Sequence, residues 1–160
     1  MVAIIMIIST AGLANFTFSR QKARDTQRKS DLGQITRALE IYANDLGSYP
    51  LDDDNGMIVG CGDSSTIVVC EWGDVFSIDH NGATQVYMAK LPGDPKNDAN
   101  YYYVSDDGND FMLYSTLEND NDPYCRDDLG IVADCGLECN YEVTSAGVQE
   151  GEGSGRCDTE

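Results

Sequence analysis

The chain reads as an α+β protein: a long N-terminal α-helical stem packed on a small antiparallel β-sheet head, with a disulfide-stapled C-terminal loop region. Three observations predict it. Met1 to Phe18 is uncharged and almost wholly apolar, and after it apolar residues recur at Leu32, Ile35, Leu39, Tyr42 and Leu46, the alternating steps of three and four that line one face of a helix. Tyr101–Val104 and Phe111–Leu117 are rich in strand formers and flank Asp106-Asp107-Gly108-Asn109, a hairpin turn signal. All six cysteines, at 61, 70, 125, 135, 139 and 157, fall after the helix.

The helix stops at Gly47, a C-cap residue, and Pro50 forbids a restart. It runs through residues 1–46, about 68 Å at ~1.5 Å per residue. Residues 1–18 are apolar all round; residues 19–46 are apolar on one side, and their stripe packs on the sheet. The remaining 47–160 form an acidic head, of which 118–160 is a cysteine-rich loop and tail. A head of this size cannot cover so long a rod. Met1, Val2, Ile4, Ile5, Ile7, Ile8, Leu13 and Phe16 must therefore be buried in lipid or among copies of the same chain. Eighteen residues span about 27 Å as a helix, the short edge of what crosses a bilayer. The pattern runs on without a loop and the basic residues follow the apolar run, which argues against a cleaved signal peptide.

In the head, Ser48–Gly56 is a loop whose acidic run, Asp52 to Asp54, reads as a solvated turn. Met57–Val59, Thr66–Cys70 and Val75–Ile78 have strand character. Asp79-His80-Asn81-Gly82 signals a turn, and Gln85–Leu91 reads as a turn of helix closed by Leu91-Pro92-Gly93-Asp94-Pro95. The Tyr101–Val104 and Phe111–Leu117 strands are the candidates to cover the Leu32–Leu46 stripe, with one of Tyr101, Tyr102 and Tyr103 facing away. From Glu118 the chain reads as stapled surface coil, with Tyr141–Val143 a short strand candidate.

Net charge is −18, unevenly spread. Residues 1–40 carry six Lys/Arg and three Asp/Glu, a balance of +3, and residues 41–160 carry four and 25, a balance of −21. Such a head repels phosphate backbones, which disfavours nucleic acid as a partner for its surface. The basic stretch Arg20–Lys29 can meet anionic lipid headgroups or acidic groups of neighbouring copies. With no Cys-x-x-Cys pair and one histidine, the cysteines fit three disulfides in an oxidising compartment better than zinc. Fifteen pairings are open, and Cys61–Cys70 across a short polar turn is the best local one. The positive-inside rule would put the basic stretch, and the head with it, in the cytoplasm; the cysteines put the head outside, and the reading follows the cysteines. His80 lies in the predicted turn with no nucleophile motif, and carboxylate pairs are too common here to single one out, so nothing points to catalysis. Ser64, Ser65 and Thr66 are candidate sugar sites.

The run Ser19-Arg20-Gln21-Lys22-Ala23-Arg24-Asp25-Thr26-Gln27-Arg28-Lys29-Ser30-Asp31-Leu32 and the run Ala38-Leu39-Glu40-Ile41-Tyr42-Ala43-Asn44-Asp45-Leu46-Gly47-Ser48-Tyr49-Pro50 resemble the stem of bacterial type IV pilins and type II secretion major pseudopilins. Leu91-Pro92-Gly93-Asp94-Pro95 and the two strands after it resemble the head of that family; beyond Tyr124 little of its pattern remains. The resemblance implies a structural subunit, the major pilin of an extracellular type IV pilus-like filament at the cell surface, serving adhesion, motility or uptake. It implies a helical homopolymer with stems in its core, storage in the cytoplasmic membrane before assembly, and a prepilin peptidase and inner-membrane assembly machinery as partners. The stem unwinding near Ser9–Asn15 inside the fibre is one implication, an uninterrupted helix the alternative. The family's leader, cleavage-site Gly, aromatic first residue and early glutamate have no counterpart here.

Two alternatives stand beside this reading. One is a type II secretion pseudopilin whose head is stabilised by calcium; the resemblance places that ion in the loop after the last strand, on Asp120, Asp122, Asp127, Asp128 and the Leu117 carbonyl, and clustered carboxylates with a carbonyl suit the oxygen preference of calcium. A loop fixed by the Cys125 disulfide is the competing account of the same residues. The other alternative is a membrane-anchored binding protein that never polymerises.

Overall fold

The computed structural model describes residues 2–80, 82–126, 129, 135, 136 and 138–148, with side chains described from Thr17 onward. One helix, α1 (Val2–Leu46), runs unbroken for 45 residues. It ends where Gly47 turns to φ 90° while its N–H still donates to the Ala43 carbonyl at 2.8 Å. Any residue with a Cβ is strained in that left-handed conformation, so the glycine terminates the helix at this point. Leu32, Ile35 and Leu39 are fully buried and Ala38 and Tyr42 nearly so, while Leu46 packs half-buried at the edge. Burying each of the larger aliphatic side chains contributes about 1.5–3 kcal/mol.

The head has two sheets. The first is built of β1 (Leu51–Asp52), β2 (Ile58–Asp63), β3 (Thr66–Cys70), β4 (Phe76–His80) and β5 (Ala83–Met88). Its order is β1-β2-β4-β5, with β3 on the free edge of β2. The second, β6 (Tyr102–Val104), β7 (Met112–Ser115), β8 (Tyr141–Thr144) and β9 (Gly147–Val148), is antiparallel throughout, in chain order. Helix α1 comes nearest to β5 of the first sheet and β8 of the second.

The first sheet departs from the expected antiparallel plan. The β2–β3 hairpin turns on Ser64-Ser65, and the Asp63 carboxylate fixes it by accepting from the Ser65 N–H at 2.7 Å. The chain then passes to the other side of β2, so β4 runs parallel to it, Gly62 opposite Ile78. A bulge falls between Val59 and Cys61. A Cβ on Gly60 would sit 2.9 Å from Pro50 and 3.3 Å from the Tyr42 and Phe76 rings. The missing side chain lets the sheet close onto the helix, where Tyr42, Phe76 and Tyr87 form an aromatic trio with centroids 5.1–5.5 Å apart.

Three local expectations are corrected. Gln85–Leu91 is not a turn of helix: Ala83–Met88 is strand β5, paired with β4 from His80–Ala83 to Phe76–Met88. Thr84, Val86 and Tyr87 have strand propensity, and the waiting β4 edge decides the matter. Asp79 and His80 belong to β4 rather than to a four-residue turn, so the reversal is tighter; Asn81 lies outside the described residues. The segment after Glu118 is not all surface coil. Its strand candidate Tyr141–Val143 is borne out as β8, β9 follows it, and Tyr141 and Val143 enter the core.

The second sheet has two covered faces. Tyr103, Leu113 and Val143 lie in register and face the helix with Tyr101, Phe111 and Tyr141. On the opposite face Tyr102, Val104, Met112 and Tyr114 pack with the Cys135–Cys139 disulfide. Tyr102 is thus the member of the tyrosine run that faces away. The second described disulfide, Cys61–Cys70, ties β2 to β3 across the bulge. Cys125 is also disulfide-bonded, and Cys157 lies outside the described residues.

Candidate functional site at the helix–head joint

Extended towards the N-terminus, the helix face that carries Tyr42, Leu39, Ile35 and Leu32 next presents Arg28 and Asp25, again at steps of four and three. Both are buried, Arg28 at 1% and Asp25 at 2% relative exposure. The stripe thus changes from apolar to ionic without leaving the head. Asp25 accepts the backbone N–H groups of Glu118 and Asn119 at 2.9 and 3.0 Å, which hooks the loop after β7 onto the helix.

Arg28 reaches three carboxylates. It grips Asp94 through two bonds of 2.7 and 2.9 Å and donates to Asp25 at 2.8 Å and Glu118 at 2.9 Å. Asp94 stands in the Leu91–Pro95 segment, whose Leu91 is fully buried, and also accepts the Lys96 N–H at 2.8 Å. Arg24 binds Glu118 through Nε at 2.6 Å and through Nη2. Lys29 pairs with Asp122 and lies over the rings of Tyr124 and Tyr141, 4.9 and 5.7 Å from their centroids. One turn on, Asp31 accepts the Tyr101 hydroxyl at 2.9 Å.

The electrostatics follow from the contacts. Hydrogen bonds from Arg24 and then Arg28 outweigh burial and hold the Glu118 carboxyl down at about 2. Burial opposes the charge on Arg28, but the bonds to Asp94, Glu118 and Asp25 prevail and raise its pKa. Asp31 is raised, because desolvation exceeds the help of Tyr101 and Gln27. Tyr101 is raised by burial and by the Asp31 carboxylate. The result is a closed charge network with no nucleophile in it. It fixes where along the helix, and at what rotation, the head sits.

The sequence reading missed this quartet of Asp25, Arg28, Asp94 and Glu118. It treated Arg20–Lys29 as one basic stretch facing lipid or other copies. Three of those five basic residues, Arg24, Arg28 and Lys29, are instead engaged by the chain's own head. The signal was there: Arg28 and Asp25 share the phase of the leucines.

The proposed calcium ligands are only partly brought together. Asp122 is paired with Lys29 and also accepts the Tyr124 N–H at 3.1 Å. The Leu117 carbonyl accepts Asn140 Nδ2 at 3.0 Å, and Asn140 Oδ1 accepts the Leu117 N–H at 2.6 Å. Asp120 is half-buried, and Asp127 and Asp128 lie outside the described residues. Among the described residues no group of three His, Cys, Asp or Glu side chains is arranged to hold a metal ion. His80 is exposed at the end of β4, and Ser64, Ser65 and Thr66 are exposed at the β2–β3 turn.

Of the apolar stem, Met1 lies outside the described residues, and Val2, Ile4, Ile5, Ile7, Ile8, Leu13 and Phe16 lie on helical backbone whose side chains are outside them. Among the described residues no helix is long and apolar enough to cross a membrane. Thr17, Phe18, Ser19 and Arg20 are exposed, Phe18 at 54%. Comparisons with protein families, with curated proteins and with solved structures find no match.

Proposed function

We propose that this chain is a structural subunit, a major pilin that polymerises through its N-terminal helix into an extracellular type IV pilus-like filament. The observation that carries the reading is the proportion of the molecule. The helix is 45 residues long, and its buried face in the described part runs from Asp25 to Tyr42. Ahead of it lies a run, Met1 to Phe18, that is apolar in sequence and continues as helix backbone from Val2. Such a rod is unstable in water until lipid or sister rods cover it. Identical rods stacked with an axial offset make contacts that do not close, and open contacts of that kind give a fibre. The fixed head-to-helix joint supports the same reading, since each subunit then presents its head at one height and one rotation.

The membrane stores the helix before assembly, and the oxidised cysteines fit heads that face outside the cell. The test is assembly of the full-length chain on removal of detergent. Fibres seen by negative stain, absent when residues 1–18 are deleted, are the expected result. A chain that remains monomeric, with Phe18 protected from solvent in the monomer, overturns the reading.

A further inference from the structure

Within that polymerisation reading, we propose that heads join edge to edge, the free edge of β3 in one copy pairing as a parallel strand with the free edge of β5 in the next. β3 and β5 are the two outer strands of the first sheet. Among the described residues no backbone bond reaches the outer side of either. Each therefore offers a row of open N–H and C=O groups that another extended chain can match along its length.

Proteins commonly guard such edges with charge or proline. Thr66–Cys70 and Ala83–Met88 contain neither, in a chain of net charge −18. Ile67 and Val68 are each 47% exposed and Val86 is 49% exposed. An uncharged, partly aliphatic edge on both sides of one sheet fits a strand of the same kind.

The topology selects the copy that fits. β3 is antiparallel to β2, β4 is parallel to β2, and β5 is antiparallel to β4. The two edges therefore run in the same direction. A second copy set alongside in the same orientation brings β5 to β3 as a parallel neighbour, the setting that parallel stems require of their heads. Cross-strand register fixes the match. Thr66, Asp63, Asp79 and Thr84 lie in one row across the sheet, and Ile67, Gly62, Ile78 and Gln85 in the next. Carried into the neighbouring copy, these rows set Thr84 beside Thr66 and Gln85 beside Ile67. Two residues on from the threonines, and on the same face, Val86 meets Val68. The strand ends agree in charge. Exposed Glu71 and Asp74 follow β3, while exposed Lys90, the first Lys or Arg after Arg37, follows β5. An antiparallel pair of two β3 edges would instead bring Asp63 of one copy towards Glu71 of the other at both ends.

The test uses the full-length chain as T66C/T84C, T66C and T84C, grown into fibres by removing detergent and then oxidised. Paired strands lie about 4.8 Å apart, within the ~4.4–6.8 Å between Cα atoms that a disulfide spans. Inside one molecule the two positions are three strand spacings apart, about 14 Å, so a bridge between them joins two copies. T66C/T84C is expected to give a non-reducing ladder of dimers, trimers and longer species, and each single variant no ladder. Adding V86K, with the head checked by circular dichroism, is expected to cut the ladder about tenfold by charging the edge. Wild-type fibres with no ladder from T66C/T84C, a ladder indifferent to V86K, or dimers in equal yield from a single variant overturn the edge pairing and leave polymerisation standing. A ladder formed in detergent, with no fibres from wild type, keeps the pairing and overturns polymerisation. Neither ladder nor fibres overturns both.

Discussion

Replacing Glu118 by Gln removes one charge from the joint and keeps the side chain's shape. In the wild type the bonds from Arg24 and Arg28 bring the carboxyl from 4.5 to about 2. A displacement of that size corresponds to about 3 kcal/mol of folding stability at neutral pH, or about 2–3 once the partial solvent access of the site is allowed for. Its side chain is 11% exposed, so most of the effect survives screening. The sign is that of a depressed carboxylate. The contribution is complete above about 4.5 and is lost as pH falls through about 2. Urea denaturation followed by Trp72 suits the measurement, because Trp72 is the single tryptophan and meets the Tyr101 ring edge-on at 6.0 Å. Other carboxylates give both proteins an acid slope, so the diagnostic is the difference between them. It should be about 2–3 kcal/mol at pH 7, shrink below pH 4.5 and close near pH 2. Parallel curves over that whole range would refute the assignment of the network to Glu118.

Asp31 should behave in the opposite sense. Its carboxyl is raised, so its charge opposes folding at neutral pH, and the strain is relieved as pH falls through the raised value. Asp31→Asn keeps an acceptor for the Tyr101 hydroxyl. It is expected to be more stable than wild type at pH 7 in the same urea experiment, with the advantage vanishing in acid; a less stable variant at pH 7 refutes it. For calcium, Lys29 already neutralises Asp122 and Asn140 already occupies the Leu117 carbonyl. A cation at Asp122 must displace Lys29 and share the Leu117 carbonyl with Asn140, so millimolar calcium or a chelator is expected to move the melting temperature by less than ~1 °C. A larger calcium-dependent rise, read by calorimetry, restores the calcium loop.

The outline of the fold was legible because it rests on patterns of one element at a time. The stripe from Leu32 to Tyr42 and the hairpin around Asp106–Asn109 need only spacing and turn chemistry. The pairing of Cys61 with Cys70 was readable for the same reason, since a single hairpin brings them together. What was not legible depends on partners distant in sequence. β5 is a strand because β4 offers it an edge, and although Tyr141–Val143 reads as a strand by itself, its place beside β7 does not follow from that. Parallel pairing of β2 with β4 leaves no local trace at all. The ionic joint joins residues 25 and 28 to 94 and 118. From sequence those helix residues are two charges in a charged stretch, and only their phase with the leucines marks them as inward.

That phase also explains why the joint is ionic. An apolar stripe repeated at three and four residues is nearly self-similar, so a helix could slide one turn along the head and bury much the same area. Arg28 breaks the degeneracy. Displaced by a turn it would sit in the interior without Asp94 and Glu118, and an unpaired buried charge costs about 3–5 kcal/mol. The native register satisfies it with four hydrogen bonds to three carboxylates. Its net worth for stability against a hydrophobic substitute is small, since desolvation offsets much of the attraction. Its consequence is positional: it fixes the head on its own stem, and on the proposed filament reading a head free to shift by ~5 Å would spoil the contacts between subunits.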